Sequence, residues 1–91
     1  MYMVQWMEEA LADLARLWID ADSNLRKLIS VATNEIDRRL RKHPLDEGES
    51  RDGADRIFLW PPLGVTFEVS EQDRVLRILG VWQFRVGPKK S

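Results

Sequence analysis

The chain is short and nearly neutral: it has 91 residues, of which 44% are hydrophobic and 32% charged, and its formal net charge at pH 7 is −1. This length predicts one domain with a single core, and the composition is that of an ordinary folded protein. The chain has no cysteine, which excludes disulfides, thiol chemistry and a cysteine zinc site. The near-zero charge gives no overall argument for binding nucleic acid.

The hydropathy pattern predicts a cytoplasmic protein that has no membrane partner. The first residues, MYMVQWMEEALADL, lack the basic region and the apolar run of a signal peptide, and no stretch has the length of a membrane-spanning helix. Charge is nevertheless uneven along the chain. Residues 35–43 carry four basic groups against two acids, residues 46–55 carry five acids against one arginine, and residues 71–91 have a basic excess.

The N-terminal half predicts a strand followed by a helical hairpin. Residues 2–6 are short and rich in β-forming side chains, whereas residues 7–20 have the apolar spacing of a helix. A second helix is predicted over residues 23–43, with Asp22 or Ser23 as its N-cap. It ends at His43-Pro44, because the residue before proline avoids the helical region; His43 itself is expected to be a charge partner of the helix C-terminus.

The C-terminal half predicts an antiparallel meander of three strands over residues 56–60, 64–69 and 74–82, followed by a flexible tail at 86–91. The two prolines before the middle strand require a wide connection, and Gly64 is a candidate for a bulge there. In the last strand, strict alternation directs Leu76, Ile78 and Trp82 inward. The opposite face then carries Val75, Arg77, Leu79, Val81 and Gln83.

The predicted core combines the stripes of both helices with the inward positions of the last two strands. It consists of Leu11, Leu14, Trp18, Leu28, Ile29, Ala32, Ile36, Leu40, Val65, Phe67, Leu76 and Ile78.

Several stretches, in this order and spacing, resemble toxins of the RelE/ParE superfamily. They are MYMVQW, ALADLARLW, EIDRRLRKHPLDEGESR and RIFLWPPLGVTFEVSEQDRVLRILGVW, and together they span the chain from Tyr2 to about Arg85. The resemblance implies an α+β fold of order β-α-α-β-β-β, in which a helical hairpin packs on one face of a small antiparallel sheet.

The resemblance also implies a function, the toxin of a type II toxin–antitoxin module held inactive by a cognate antitoxin. Members that resemble RelE cleave mRNA on the ribosome, and members that resemble ParE poison DNA gyrase. Three hypotheses stay open: a diverged ribosome-dependent endoribonuclease, a non-catalytic toxin that acts by binding, and an interaction module without toxic action. None of them requires a cofactor. We expect the antitoxin, or a second copy of the chain, to cover the outer sheet face and the groove beside the hairpin.

Cleavage of the RelE kind needs no metal, because the 2′-hydroxyl attacks the adjacent phosphate. The site must supply a base, cations for the phosphate and an acid for the leaving oxygen. The resemblance places these groups on the outer face of the sheet, where the basic positions fall on Arg56, on Gly64 in place of an arginine, and near Gln83 to Arg85. Glu68 and Arg77 form either a general base and a phosphate clamp or a cross-strand ion pair.

The candidate catalytic residues are therefore Arg56, Glu68, Arg77 and Arg85. The residues expected to contact RNA or the antitoxin on the same face are Phe58, Trp60, Val75, Leu79 and Gln83. No metal ligands are predicted.

Overall fold

The computed structural model describes residues 1–45, 49–50 and 55–84, and within these ranges two helices pack against one sheet. The elements are β1 (Met3–Trp6), α1 (Glu8–Asp20), α2 (Ser23–Lys42), β2 (Glu49–Ser50), β3 (Asp55–Trp60), β4 (Leu63–Ser70) and β5 (Val75–Gln83). The predicted order of strand, helical hairpin and three-stranded meander is confirmed, and the two-residue β2 is added to it. The predicted tail 86–91 and Arg85 lie outside the described residues.

The sheet is mixed rather than antiparallel, with strand order β1-β5-β4-β3-β2. The meander β3-β4-β5 is antiparallel as predicted, but β1 lies parallel to β5, with Met3 opposite Val75 and Trp6 opposite Ile78. The strands β3, β4 and β5 alternate in direction, and β1 runs in the same direction as β3 and β5. None of the helices in the described ranges has the length and hydropathy that crossing a membrane requires.

The start and the end of α2 follow from local chemistry. The Asp22 carboxylate accepts a hydrogen bond from the Leu25 amide at 2.8 Å, which makes Asp22 the N-cap. At the other end the His43 amide donates to the Arg39 carbonyl, and Pro44 follows directly. The helix length is thus set by an Asx cap and a proline, both of which are visible in the sequence.

The core lies between the helices and one face of β4 and β5. The predicted burial is confirmed for Ile29, Ala32, Ile36, Leu40, Val65, Phe67, Leu76 and Ile78. It is wrong for Leu11, Trp18 and Leu28, which are 50%, 40% and 56% exposed, and Leu14 is half-buried. In α1 the face toward the core is offset from the predicted stripe; it carries Ala10, Leu14 and Leu17, and the C-cap residue Ala21 is buried after them.

A β-bulge in β5 reverses the faces of its last residues. Phe67 of β4 opposes Ile78, but the preceding Thr66 opposes Gly80, so Leu79 is an extra residue. Beyond it Val81 is buried at 6% exposure, although alternation predicted it outward. Trp82 was predicted in the core and instead lies on the opposite face, across from Gly64. The bulge is therefore in β5, and not at Gly64.

Asp13 of α1 binds the edge of β5 just beyond this bulge. Its Oδ2 accepts a hydrogen bond from the Val81 amide at 3.1 Å, past the point where the pairing with β1 ends at Ile78. We expect Asp13→Ala to lower the free energy of unfolding by about 1–3 kcal/mol, because it leaves a part-buried amide without an acceptor. Asp13→Asn retains an acceptor oxygen and should lose less. Urea denaturation of both variants checks this, and equal losses would contradict the role of the hydrogen bond.

Candidate functional site

Beyond an edge row of Met3, Val75 and Ser70, the face of the sheet turned away from the helices, called the outer face below, carries three further cross-strand rows. The first row is polar and carries Gln5, Arg77, Glu68 and Asp55. The middle row carries Ile57, Thr66 and Gly80. The third row carries Leu59, Gly64 and Trp82. The charged side chains of the outer face thus share one row, and the large apolar side chains Leu59 and Trp82 lie two rows away.

Glu68 and Arg77 form the cross-strand ion pair that was one of the two interpretations of their positions. The residues are directly opposite in the β4–β5 register, and Arg77 Nη1 lies 3.6 Å from Glu68 Oε2. Their side chains are 37% and 35% exposed, so solvent screens the pair and its contribution to stability is small. Asp55 continues the row on β3 and lies opposite Glu68, two strands away from Arg77.

Because Gly64 has no side chain, the Trp82 ring can lie directly against its backbone. A Cβ atom built at Gly64 would lie 2.6 Å from Cε2 and Cζ2 of Trp82 and 2.9 Å from Cδ2 of Leu59. The indole and the leucine therefore occupy the space that any side chain at this position would need. This is the position where the resemblance places a third-strand arginine, and here it is closed by two apolar side chains.

Arg56 lies on the opposite side of the sheet from the outer face. It is paired with Phe67, which is fully buried, and its Nη2 donates to the Leu45 carbonyl at 3.0 Å. The outer-face position predicted for Arg56 is therefore wrong, because alternation along β3 turns Asp55 and Ile57 outward instead.

The same alternation moves two predicted contact aromatics to the helix side. Phe58 opposes Val65 and is only 9% exposed, and Trp60 opposes Leu63. Trp60 is half-buried beneath the Arg39 guanidinium, whose Cζ lies 4.5 Å from the ring centroid. Phe58 is thus a core residue, and neither aromatic stands on the outer face as predicted.

The remaining predicted contact residues are scattered along β5. Val75 is half-buried on the outer face opposite Ser70, and Leu79 is the extra residue of the bulge. Gln83 is exposed but opposes the core residue Leu63, which places it at the end of the helix-facing side. The structure therefore does not bring these residues together into one site.

The residues that sequence reasoning missed are Leu59, Ile57 and Trp82, which form the apolar end of the outer face. Leu59 is 52% exposed and is in contact distance of the Gly64–Trp82 pair. A usable indication was present at Gly80, because an isolated glycine inside a strand pattern often marks a bulge. A bulge placed there would have turned Trp82 outward.

Three arginines of the basic segment at the end of α2 pair with acids on the same helix. Arg38 lies 2.6 Å and Arg39 3.6 Å from the Glu35 carboxylate, and Arg41 lies 2.6 Å from Asp37. The hydrogen bond from Arg38 and the charges of both arginines hold the pKa of Glu35 below its ordinary value, and the same hydrogen bond raises the pKa of Arg38. These contacts engage Arg38, Arg39 and Arg41 within the helix.

No metal centre is evident in the part of the chain that the structure describes. Within residues 1–45, 49–50 and 55–84, no group of three or more histidine, cysteine, aspartate or glutamate side chains is placed to hold an ion.

Comparison with known proteins identifies the fold. No family model and no curated protein matches the sequence. Among solved structures, a chain of the RelBE2 toxin–antitoxin complex from Mycobacterium tuberculosis superposes with a TM-score of 0.70 at 18% identity, over 92% of this chain and 98% of that one. A chain of the chromosomal ParDE system from P. aeruginosa gives 0.61 at 17% identity, over 93% and 98%. The isolated E. coli RelE toxin gives 0.58 at 13% identity, over 97% and 89%.

The fold is thus that of the small α+β toxins of toxin–antitoxin complexes. More particularly, the helical hairpin, the meander and the parallel first strand make up the RelE/ParE toxin fold, as the sequence resemblance implied.

Proposed function

We propose that this chain is the toxin of a toxin–antitoxin module and that it acts by binding a protein target rather than by cleaving RNA. The toxin assignment rests on the RelE/ParE fold and on structural neighbours that were determined as RelBE and ParDE systems. The choice of binding over cleavage rests on one observation, the closure of Gly64 by Trp82 and Leu59.

Cleavage would need several cations around the pentavalent phosphate, since its charge increases in the transition state. Of the outer-face residues that the structure describes, Arg77 is the only cation, and it lies 3.6 Å from Glu68. Arg56 is on the other side of the sheet. Gln83 has no proton to exchange near neutral pH. The described part of the outer face is therefore poorly equipped for this chemistry.

The same face has the features of a protein-binding surface. Leu59 and Trp82 supply an apolar anchor. Two rows away along the strands, Asp55, Glu68 and Arg77 supply a charged margin. Buried apolar anchors surrounded by polar residues carry most of the energy of protein–protein interfaces. An antitoxin that covers this face would neutralise the toxin by occluding the surface that its target needs.

The proposal is tested by induced expression in a bacterium, with and without the product of the adjacent reading frame. We expect growth arrest that the neighbouring protein relieves, and mRNA that stays intact in primer extension. A supercoiling assay with purified protein tests DNA gyrase as the first target. New mRNA ends that appear on induction would refute action by binding alone.

Growth arrest should depend on Leu59 and not on Arg77. Leu59→Glu places a charge in the apolar anchor and should reduce toxicity by at least about tenfold, as expected for a hot-spot contact worth about 1.4 kcal/mol or more. Arg77→Ala should leave toxicity within about twofold, because the screened ion pair contributes little. Leu28→Glu is the matched control, since Leu28 is 56% exposed on a helix. The opposite order, with loss in Arg77→Ala and not in Leu59→Glu, would favour the nuclease hypothesis.

A further inference from the structure

The polar row of the outer face is complementary to itself when its order is reversed. Across β1, β5, β4 and β3 it carries Gln5, Arg77, Glu68 and Asp55 in that order. From the other end, the same row presents two acids, a cation and an amide. A second copy that is turned around and laid over the first therefore sets Glu68 against Arg77 and Asp55 against Gln5. Each of these contacts joins a carboxylate to a hydrogen-bond donor.

A two-fold axis that runs along the strands between β4 and β5 produces this reversal. It keeps each row opposite the same row of the second copy, and it places β4 over β5 and β3 over β1. The strands of the two sheets then stay nearly aligned, which is a common arrangement for sheets that pack face to face. Both helices pack on the other side of the sheet, so they do not obstruct the contact.

The apolar row fits the same axis. Trp82 of each copy comes to lie over Gly64 of the other, because these two residues are opposite each other in the β4–β5 register. Gly64 has no side chain, and each indole already leans over the Gly64 of its own chain. The two indoles therefore lie side by side near the axis, with Leu59, which is 52% exposed, at their margin. One symmetry operation thus covers the apolar row and pairs the charged one.

We propose that the free chain forms a symmetric dimer through the outer face, and that this dimer covers the surface with which the toxin binds its target. The sequence left two occupants open for this face, the antitoxin and a second copy. The self-complementary rows favour the second copy when the antitoxin is absent, since a two-fold interface requires one surface that matches itself. The regulatory part of the inference rests on the proposed function, because it concerns the same face.

The size of the contact makes the dimer a weak one. Four strands about 4.8 Å apart and four rows about 6.7 Å apart give roughly 500 Å² on each copy, which is near the lower limit for a specific interface. The antitoxin or the target can therefore displace the second copy.

The charged contacts are compatible with this weak association. Arg77 already lies 3.6 Å from Glu68 of its own chain. The dimer joins two such pairs into a ring of four alternating charges, and it does not bury an unpaired one.

The test compares the parent chain with Arg77→Glu and Glu68→Arg by sedimentation equilibrium over a range of protein concentrations. We expect a concentration-dependent dimer of the parent chain. Each variant sets like charges against each other across the axis and should weaken the dimer by at least about tenfold. Lys27→Glu is the matched control, because Lys27 is exposed on α2 and its reversal changes the net charge as Arg77→Glu does. This control should dimerise like the parent chain.

An equimolar mixture of the two variants tests the contact between Glu68 and Arg77 directly. In a mixed dimer the two unchanged residues meet as an opposite pair, and so do the two substituted positions. The mixture should therefore dimerise although neither variant does so alone. The charges within each chain remain alike, so this rescue cannot arise inside one chain. Circular dichroism verifies that both variants are folded.

Three results would overturn the dimer: a parent chain that is monomeric at every concentration, variants that dimerise like the parent chain, or a mixture of folded variants that stays monomeric. The growth assay is independent of these measurements. A monomeric chain that still arrests growth would overturn the dimer and leave the proposed function standing. A dimeric chain without effect on growth would contradict the proposed function and, with it, the regulatory part of this inference.

Discussion

Truncation of Phe67 to alanine should lower the free energy of unfolding by about 3–5 kcal/mol, which is a large part of the stability of a domain this small. Phe67 has no exposed surface and is the largest side chain that is fully buried in the described residues. It lies on β4, in the centre of the sheet, opposite Ile78 on one side and Arg56 on the other. Loss of the ring would leave a cavity that the neighbouring strands cannot close, since their positions are fixed by the ladder.

Chemical denaturation with a matched control measures this effect. Leu28→Ala also removes apolar atoms, but from a side chain that is 56% exposed, and it should change stability by less than about 0.5 kcal/mol. A similar midpoint for the two variants would mean that Phe67 does not organise the core. Because toxicity needs the folded sheet, Phe67→Ala should also reduce growth arrest, and for that reason it cannot be used to test the site.

The parts of the fold with one dominant periodicity were predictable from sequence. In β4, Val65 and Phe67 alternate with Thr66 and Glu68, and only one assignment of faces buries the large side chains. In α2 the stripe from Ile29 to Leu40 has charged residues on its other side, and Asp22 and Pro44 mark its limits. Local pattern and tertiary packing agree in β4 and in this stretch of α2, although Leu28, just before the stretch, was predicted buried and is 56% exposed.

The predictions that were wrong concern elements in which two assignments of the buried face or of the strand pairing were equally consistent with the sequence pattern. In α1 apolar residues occur on several faces, so periodicity could not distinguish the half-buried Leu17, which packs against the core, from the exposed Trp18. Pairing of β1 with β5 depends on contacts more than 70 residues apart in sequence, such as Met3 with Val75, which no local signal reports.

The predicted positions of the candidate site residues were wrong for a related reason. A single extra residue, Leu79, exchanged Val81 and Trp82 between the faces, and the site changed character with them. The resemblance also placed Arg56 among the outer cations, although strand alternation puts it beside the core. Matching this sequence to the motifs of the family it resembles therefore predicted the fold correctly. It was less successful in predicting which side of the sheet each residue occupies.

Substitution of Gly64 should separate the proposed function from a diverged nuclease. Gly64→Ala should destabilise the protein by about 1–3 kcal/mol, because its Cβ would overlap the Trp82 ring at 2.6 Å and Leu59 at 2.9 Å. Gly80→Ala is the matched control on the adjacent strand. Its Cβ would meet only Asp13 Oδ2, at an ordinary 3.6 Å, so stability should change by less than about 0.5 kcal/mol.

Gly64→Arg extends this experiment to mechanism. If the scaffold had lost only a cation, arginine at this position would restore cleavage. The structure offers no room for it unless Trp82 leaves the face, so we expect lower stability, lower toxicity and no mRNA cleavage. The double variant Gly64→Arg with Trp82→Ala removes the clash and should recover part of the stability. It should still be non-toxic, because the apolar anchor is then lost. Cleavage of mRNA by the double variant would show that the outer face retains a nuclease site, with Trp82 as its obstruction.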